Sequence, residues 1–130
     1  MKIILILTAL FSLGFTLPST ATVYELRTYT PHEGKLDDLL TRFRDHTLKI
    51  FESHGMSNIG YWVTEKKEGE TQKLVYIISH KDKKTAVASW TAFKADPKWV
   101  AAFKASRVNG HLVKKVESQF LTATDFSKIK

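Results

Sequence analysis

The chain has 130 residues, 43% of them hydrophobic, a formal net charge of +7 and no cysteine. That length holds one domain with a single modest core. The lack of cysteine excludes disulfide staples, a thiolate nucleophile, Cys-based metal sites and lipid attachment through an N-terminal cysteine, so packing or dimerisation must supply the stability. The positive balance invites anionic partners. The lysines, however, are scattered as Lys66-Lys67, Lys81-x-Lys83-Lys84, Lys114-Lys115 and Lys128-x-Lys130, with no interleaved aromatics. Nucleic-acid sites gather their charge on one face, so a solvated surface is expected here and no nucleic-acid partner.

Residues 1–21 read as a signal peptide. Met1-Lys2 lead into an apolar run from Ile3 to Leu17, short of the roughly 20 residues that a membrane span needs. Ser19 and Ala21 supply the small residues of a cleavage site before Thr22. The expectation is export to the periplasm or the medium, leaving a mature domain of residues 22–130 with a net charge of +6 once Lys2 is lost and no stable membrane span. Residues 23–29 mix β-branched and aromatic residues with polar ones and stop at Pro31 and Gly34, which predicts a first strand. Over residues 35–54, Leu36, Leu39, Leu40, Phe43, Ile50 and Phe51 recur at helical spacing, Thr47 fills the same stripe and charges take the other face. Gly55 ends that helix.

Residues 57–64 and 73–79 are β-rich and flank a charged, glycine-containing loop, which predicts a hairpin. Residues 82–95 are helical, with Ala86, Val87, Trp90 and Phe93 on one face. Pro97 lacks a backbone donor and turns Asp96 away from helical angles, so the helix stops near Ala95 and restarts with Asp96 as N-cap and Pro97 in the first turn. The second helix runs to about Arg107, Asn109-Gly110 ends it, and residues 112–121 form a last strand. The order strand, helix, strand, strand, broken helix, strand is the α+β, ferredoxin-like βαββαβ arrangement, with helices on one face of an antiparallel sheet. Strand 1 places Tyr24, Leu26 and Thr28 on one side and Val23, Glu25, Arg27 and Tyr29 on the other. The third strand is apolar on both sides, as expected when neither face is freely solvated. A second copy of the chain is the natural cover for the open face, predicting a homodimer.

Taken in order, Tyr24-Glu25-Leu26-Arg27-x-Tyr29, Gly60-x-Trp62, Leu74-Val75-Tyr76, Trp90-x-x-Phe93-x-x-Asp96-Pro97-x-Trp99 and Phe126-Ser127 resemble a NIPSNAP domain over about residues 23–127. The resemblance implies a dimeric α+β barrel of ferredoxin-like subunits. It places the chain in a superfamily that also holds cofactor-free monooxygenases, haem-degrading enzymes and small isomerases, and it implies no reaction. The approach to the first helix, Pro31-His32-Glu33-Gly34, departs from the direct Pro-Gly common in the family. The haem-degrading relatives use an asparagine on strand 1 and a histidine shortly after the helix tryptophan. Here strand 1 has no asparagine and no histidine follows Trp90 until His111, so no cofactor is expected.

None of His32, His46, His54, His80 and His111 stands in a metal-ligand spacing, and no metal is expected. His54 lies near the C-terminus of the first helix, where the helix dipole favours it as a partly buried side chain; a functional role is the alternative. Arg27 and Glu25 share a strand face and point into the barrel or its rim. They form either a structural salt bridge or, through Arg27, an anchor for a carboxylate, enolate or phosphate with Tyr29, Tyr61 or Tyr76 beside it. Trp62, Trp90, Phe93, Trp99 and Phe103 either pack as core or line a pocket. The ligand-pocket candidates are therefore Arg27, Tyr29, His54, Trp62, Tyr76, Trp90 and Trp99, with no catalytic residue assigned. One functional reading is a small-ligand or protein-interaction module. The other is a cofactor-independent monooxygenase or isomerase for a small aromatic or polyketide-like substrate. An enzyme needs a cavity of about 300 Å³ or more with convergent polar groups, whereas an interaction module tolerates a filled core around Trp90 and Trp99.

Overall fold

A computed structural model describes residues 21–130; the expected leader lies almost wholly outside them. Strands β1 (Val23–Pro31), β2 (Ser57–Val63), β3 (Leu74–His80) and β4 (Val113–Leu121) form one antiparallel sheet in the order β2-β3-β1-β4. Helix α1 connects β1 to β2. Helices α2 (Lys83–Ala95) and α3 (Pro97–Ala105) connect β3 to β4. This is the expected ferredoxin-like α+β arrangement.

The break between α2 and α3 follows the local chemistry. Asp96 is extended at φ −64° and ψ 124°, its carboxylate accepts from the Lys98 N–H at 2.7 Å, and Pro97 opens the next helix. Asp82 caps α2 in the same way, accepting from the Thr85 N–H at 2.7 Å. Gly55 takes φ +74° after α1, a left-handed conformation that glycine adopts without a Cβ penalty.

Helix α1 departs from a regular pattern. It is α-helical over Leu36–Arg42, makes one π-helical turn over Phe43–Thr47, and returns to α-helix over Leu48–Ser53. The Thr47 hydroxyl donates to the Arg42 carbonyl at 3.2 Å within this widened turn. Leu39, Arg42, Phe43, Thr47, Ile50 and Phe51 all lie on the buried side. Arg42 was expected with the other charges on the solvent face, and it lies instead one helical turn after Leu39 on the buried side.

The register settles which face of the sheet meets the helices. Glu25, Arg27 and Tyr29 lie opposite Ile78, Tyr76 and Leu74 on β3, and opposite Phe120, Ser118 and Val116 on β4. Leu74, Tyr76 and Ile78 are core residues packed with Phe43, Phe51, Met56 and Phe93 from the helix layer. The Glu25–Arg27 face is therefore beneath the helices, and the pair does not point into a dimer interior. The opposite face carries Leu26, Val75 and Ile77, half-buried, with Ile59 and Trp62 exposed. The tail after β4 borders a groove of about 300 Å³ on this face together with Tyr24, Ile59 and Ile77.

Candidate functional site

The Glu25 side chain is buried and acidic, a costly combination unless every lone pair is used. Four donors from three other positions in the sheet and one in α2 meet it. Arg27 Nη1 and Ser118 Oγ each donate to Oε1 at 2.6 Å, while His80 Nε2 at 2.9 Å and Trp90 Nε1 at 2.7 Å donate to Oε2. Burial by itself would raise the Glu25 pKa. The bonds from His80, Ser118, Trp90 and Arg27 together outweigh it and bring it from 4.5 to about 2. An ionised acceptor requires His80 to carry its proton on Nε2, and His80 Nδ1 is buried with no hydrogen-bond partner among the described residues.

Arg27 completes this cluster. Its guanidinium carbon sits 4.3 Å from the centre of the Trp90 ring, so one indole both donates to Glu25 and supports the paired cation. Arg27 Nη2 reaches the Tyr29 hydroxyl at 3.4 Å. Burial works against the Arg27 charge, but the Tyr29 and Tyr76 oxygens and the bond to Glu25 hold its pKa above the ordinary value. Burial likewise lifts the Tyr61 and Tyr76 hydroxyls above theirs. Tyr61 stacks on Tyr76 with centroids 5.1 Å apart.

Tyr29 connects this cluster to a cleft. Between α1, α3 and the start of β4 lies a space of about 260 Å³ lined by Tyr29, Arg42, Trp99, Phe103, Arg107, His111 and residues 112–116. Phe93, Trp99 and Phe103 pack in series as tilted rings, with centroids 4.5 Å and 5.3 Å apart, and Trp99 and Phe103 form one wall. Arg42 lies 5.2 Å and 5.3 Å from the Trp99 and Phe103 ring centres, and Arg107 lies 4.5 Å from Phe103. Arg107 also donates to the His111 ring. A larger depression of about 830 Å³ lies between residues 31–37 and 66–72, but only loop residues and the start of α1 line it.

The sequence candidates separate into four places. Arg27, Tyr29, Tyr76 and Trp90 come together in or beside the Glu25 cluster, and Tyr29 and Trp99 line the cleft. His54 is tied elsewhere: its Nε2 meets Asp96 Oδ2 at 2.7 Å, clamping the end of α1 to the α2–α3 junction. The same bond, ahead of the Lys98 N–H, lowers the Asp96 pKa. Trp62 is 54% exposed on the opposite sheet face. Trp90 is committed to Glu25 and Arg27, whereas Trp99 lines the cleft.

Sequence reasoning missed Arg42, Arg107, Ser118 and the role of His80. Arg42 stands three residues after Leu39, on the apolar stripe of α1, and that spacing was the available signal. His80 and Ser118 reach Glu25 only through the strand register, which no local pattern reports. Among the described residues no three His, Asp or Glu side chains gather as a metal site, and no helix is long and apolar enough to cross a membrane.

A four-stranded antiparallel sheet with two helical crossovers on one face, and a cleft between helix layer and sheet edge, defines a ferredoxin-like α+β domain. The chain belongs to the NIPSNAP family, whose model matches residues 24–128. It is similar to the crystal structure of a NIPSNAP family protein with unknown function from Agrobacterium tumefaciens, with 23% identity over 85% of this chain and 96% of that one and a TM-score of 0.72. An uncharacterized NIPSNAP domain protein from Burkholderia xenovorans has 26% identity over 81% of this chain and 97% of its own, with a TM-score of 0.67. Among curated protein sequences none matches.

Proposed function

We propose that this chain is an exported, homodimeric NIPSNAP-domain protein that binds a small molecule in the cleft between α3 and β4. The observation that carries the reading is the cleft itself. It is preformed, about 260 Å³ in volume, walled by Tyr29, Trp99 and Phe103, and supplied with convergent polar groups. The displaced pKa values favour binding over acid–base chemistry. Glu25 is held anionic, Arg27 cationic, and Tyr61 and Tyr76 neutral. General acid–base catalysis works best with pKa values near the operating pH.

Export rests on the apolar run and small-residue site of residues 1–21. Dimerisation rests on the apolar sheet face of Leu26, Val75 and Ile77, with Trp62 standing out from it. The test is to purify the protein from its native compartment, sequence its N-terminus and identify co-bound small molecules by mass spectrometry. A chain beginning at Thr22 that carries a stoichiometric small molecule is the expected result. A full-length chain counts against export. A ligand-free chain whose cleft amides respond to no compound in a fragment screen counts against the binding reading.

A further inference from the structure

The two arginines beneath the helices, Arg27 half-buried and Arg42 buried, differ in one respect. Arg27 is paired with Glu25 at 2.6 Å. Arg42, only 4% exposed, has no carboxylate partner among the described residues. Ser106 Oγ accepts from its Nη1 at 3.3 Å, and Nε is buried with no hydrogen-bond partner among the described residues. A guanidinium taken out of water without a counter-ion costs several kcal/mol, and a fold has little reason to keep it where an uncharged side chain would pack. The rest of the cleft deepens the mismatch. Arg107, Lys114 and Lys115 also line it, and no Asp or Glu does. Lys115 is offset by Glu117 at 2.9 Å, outside the lining.

From these observations we infer that the cleft takes a small aromatic carboxylate, anchored on Arg42. The inference rests on the proposed reading of the cleft as a ligand site. A guanidinium offers two-donor forks that match a carboxylate, and among the described residues no carboxylate meets those of Arg42. The apolar walls, Tyr29, Trp99, Phe103, Leu112, Val113 and Val116, require a ligand body that is itself apolar, which an inorganic anion or a sugar phosphate lacks. At roughly 30 Å³ per water the cleft displaces about nine waters, enough for a single ring and its carboxylate. Arg107, stacked on Phe103 and bonded to His111, extends the positive field along the same wall.

The probes are benzoate, benzyl alcohol as its uncharged analogue, and inorganic phosphate, each titrated into the full mature protein with amide chemical shifts as readout. Benzoate should shift residues 99–116, and both other probes should bind at least about tenfold more weakly, the loss expected for one charge-assisted hydrogen-bonded pair. Arg42→Met should lose benzoate by a similar factor yet melt no lower than the wild type, because it removes a buried unpaired charge. Arg42→Lys, which keeps the charge but not the fork, is the second variant if Arg42→Met does not fold, and it too should weaken benzoate. Equal binding of benzoate and benzyl alcohol overturns the anionic assignment while leaving the cleft as a ligand site. Phosphate binding as tightly as benzoate overturns the aromatic part. Failure of both benzoate and benzyl alcohol to shift any cleft residue overturns the inference together with the reading beneath it.

Discussion

Replacing Glu25 by glutamine preserves shape and removes one charge, and the structure says what that does. Two donors converge on each carboxylate oxygen. Whichever oxygen becomes an amide nitrogen, one obligate donor, Arg27 or Trp90, then faces N–H groups, while Ser118 or His80 turns acceptor by rotation or tautomer exchange, and Arg27 loses its counter-ion. Breaking a buried pair in this way costs about 3 to 5 kcal/mol, in a domain whose whole stability is on the order of 5 to 15 kcal/mol. The pH dependence provides a second, independent reading. The Glu25 pKa is depressed in the fold, from 4.5 to about 2. Its contribution is therefore present in full above 4.5 and lost as the pH falls through that window. The drop corresponds to about 3 kcal/mol, trimmed towards 2 by solvent reaching the exposed Ser118 edge. Urea unfolding followed by tryptophan fluorescence should show Glu25→Gln less stable by at least about 3 kcal/mol at pH 7. The gap to the wild type should narrow by roughly 1 to 2 kcal/mol by about pH 3 and close further towards pH 2. A variant as stable as the wild type at pH 7, or a gap that does not change with pH, would refute the account of Glu25 as a buried, ionised acceptor.

Three further outcomes follow from the fold. Asp96→Ala removes both the α3 cap and the acceptor for His54 and should lower the urea midpoint clearly, while Asp96→Asn, which keeps a capping oxygen, should lower it less; equal effects would mean that the cap is unimportant. Phe93→Ala removes a buried ring between Phe51, Trp90 and Trp99 and should cost about 3 to 5 kcal/mol in the same assay. On the open sheet face, Val75→Lys should convert the proposed dimer to a monomer in sedimentation experiments while leaving far-ultraviolet circular dichroism unchanged; a dimer that survives it places the interface elsewhere.

The local chemistry of the chain was sufficient for the order and type of its elements. The Asp96-Pro97 break, the Asp82 start, the Gly55 stop and the alternation in β1 each depend on a few neighbouring residues, so their geometry can be read without knowing what they touch. The NIPSNAP motifs were legible for the same reason. The candidate site was legible only in part. Tyr29 and Trp99, two of the pocket candidates, do line the cleft, but the face of β1 that meets the helices was not assigned correctly, because alternation separates two faces without saying which is covered.

What only the tertiary structure decided is where charge ends up without a partner. Glu25 is satisfied by groups from β1, β3, α2 and β4, drawn from positions as far apart as Arg27 and Ser118. Arg42 is buried because it shares a helix face with Leu39 and because Trp99 and Phe103 of α3 close over it. Sequence spacing determines which side chains share a helix or strand face, but the pairing of a buried charge depends on register and packing between elements distant along the chain. That is why the helix break was readable from ten residues, and the isolation of Arg42 from none.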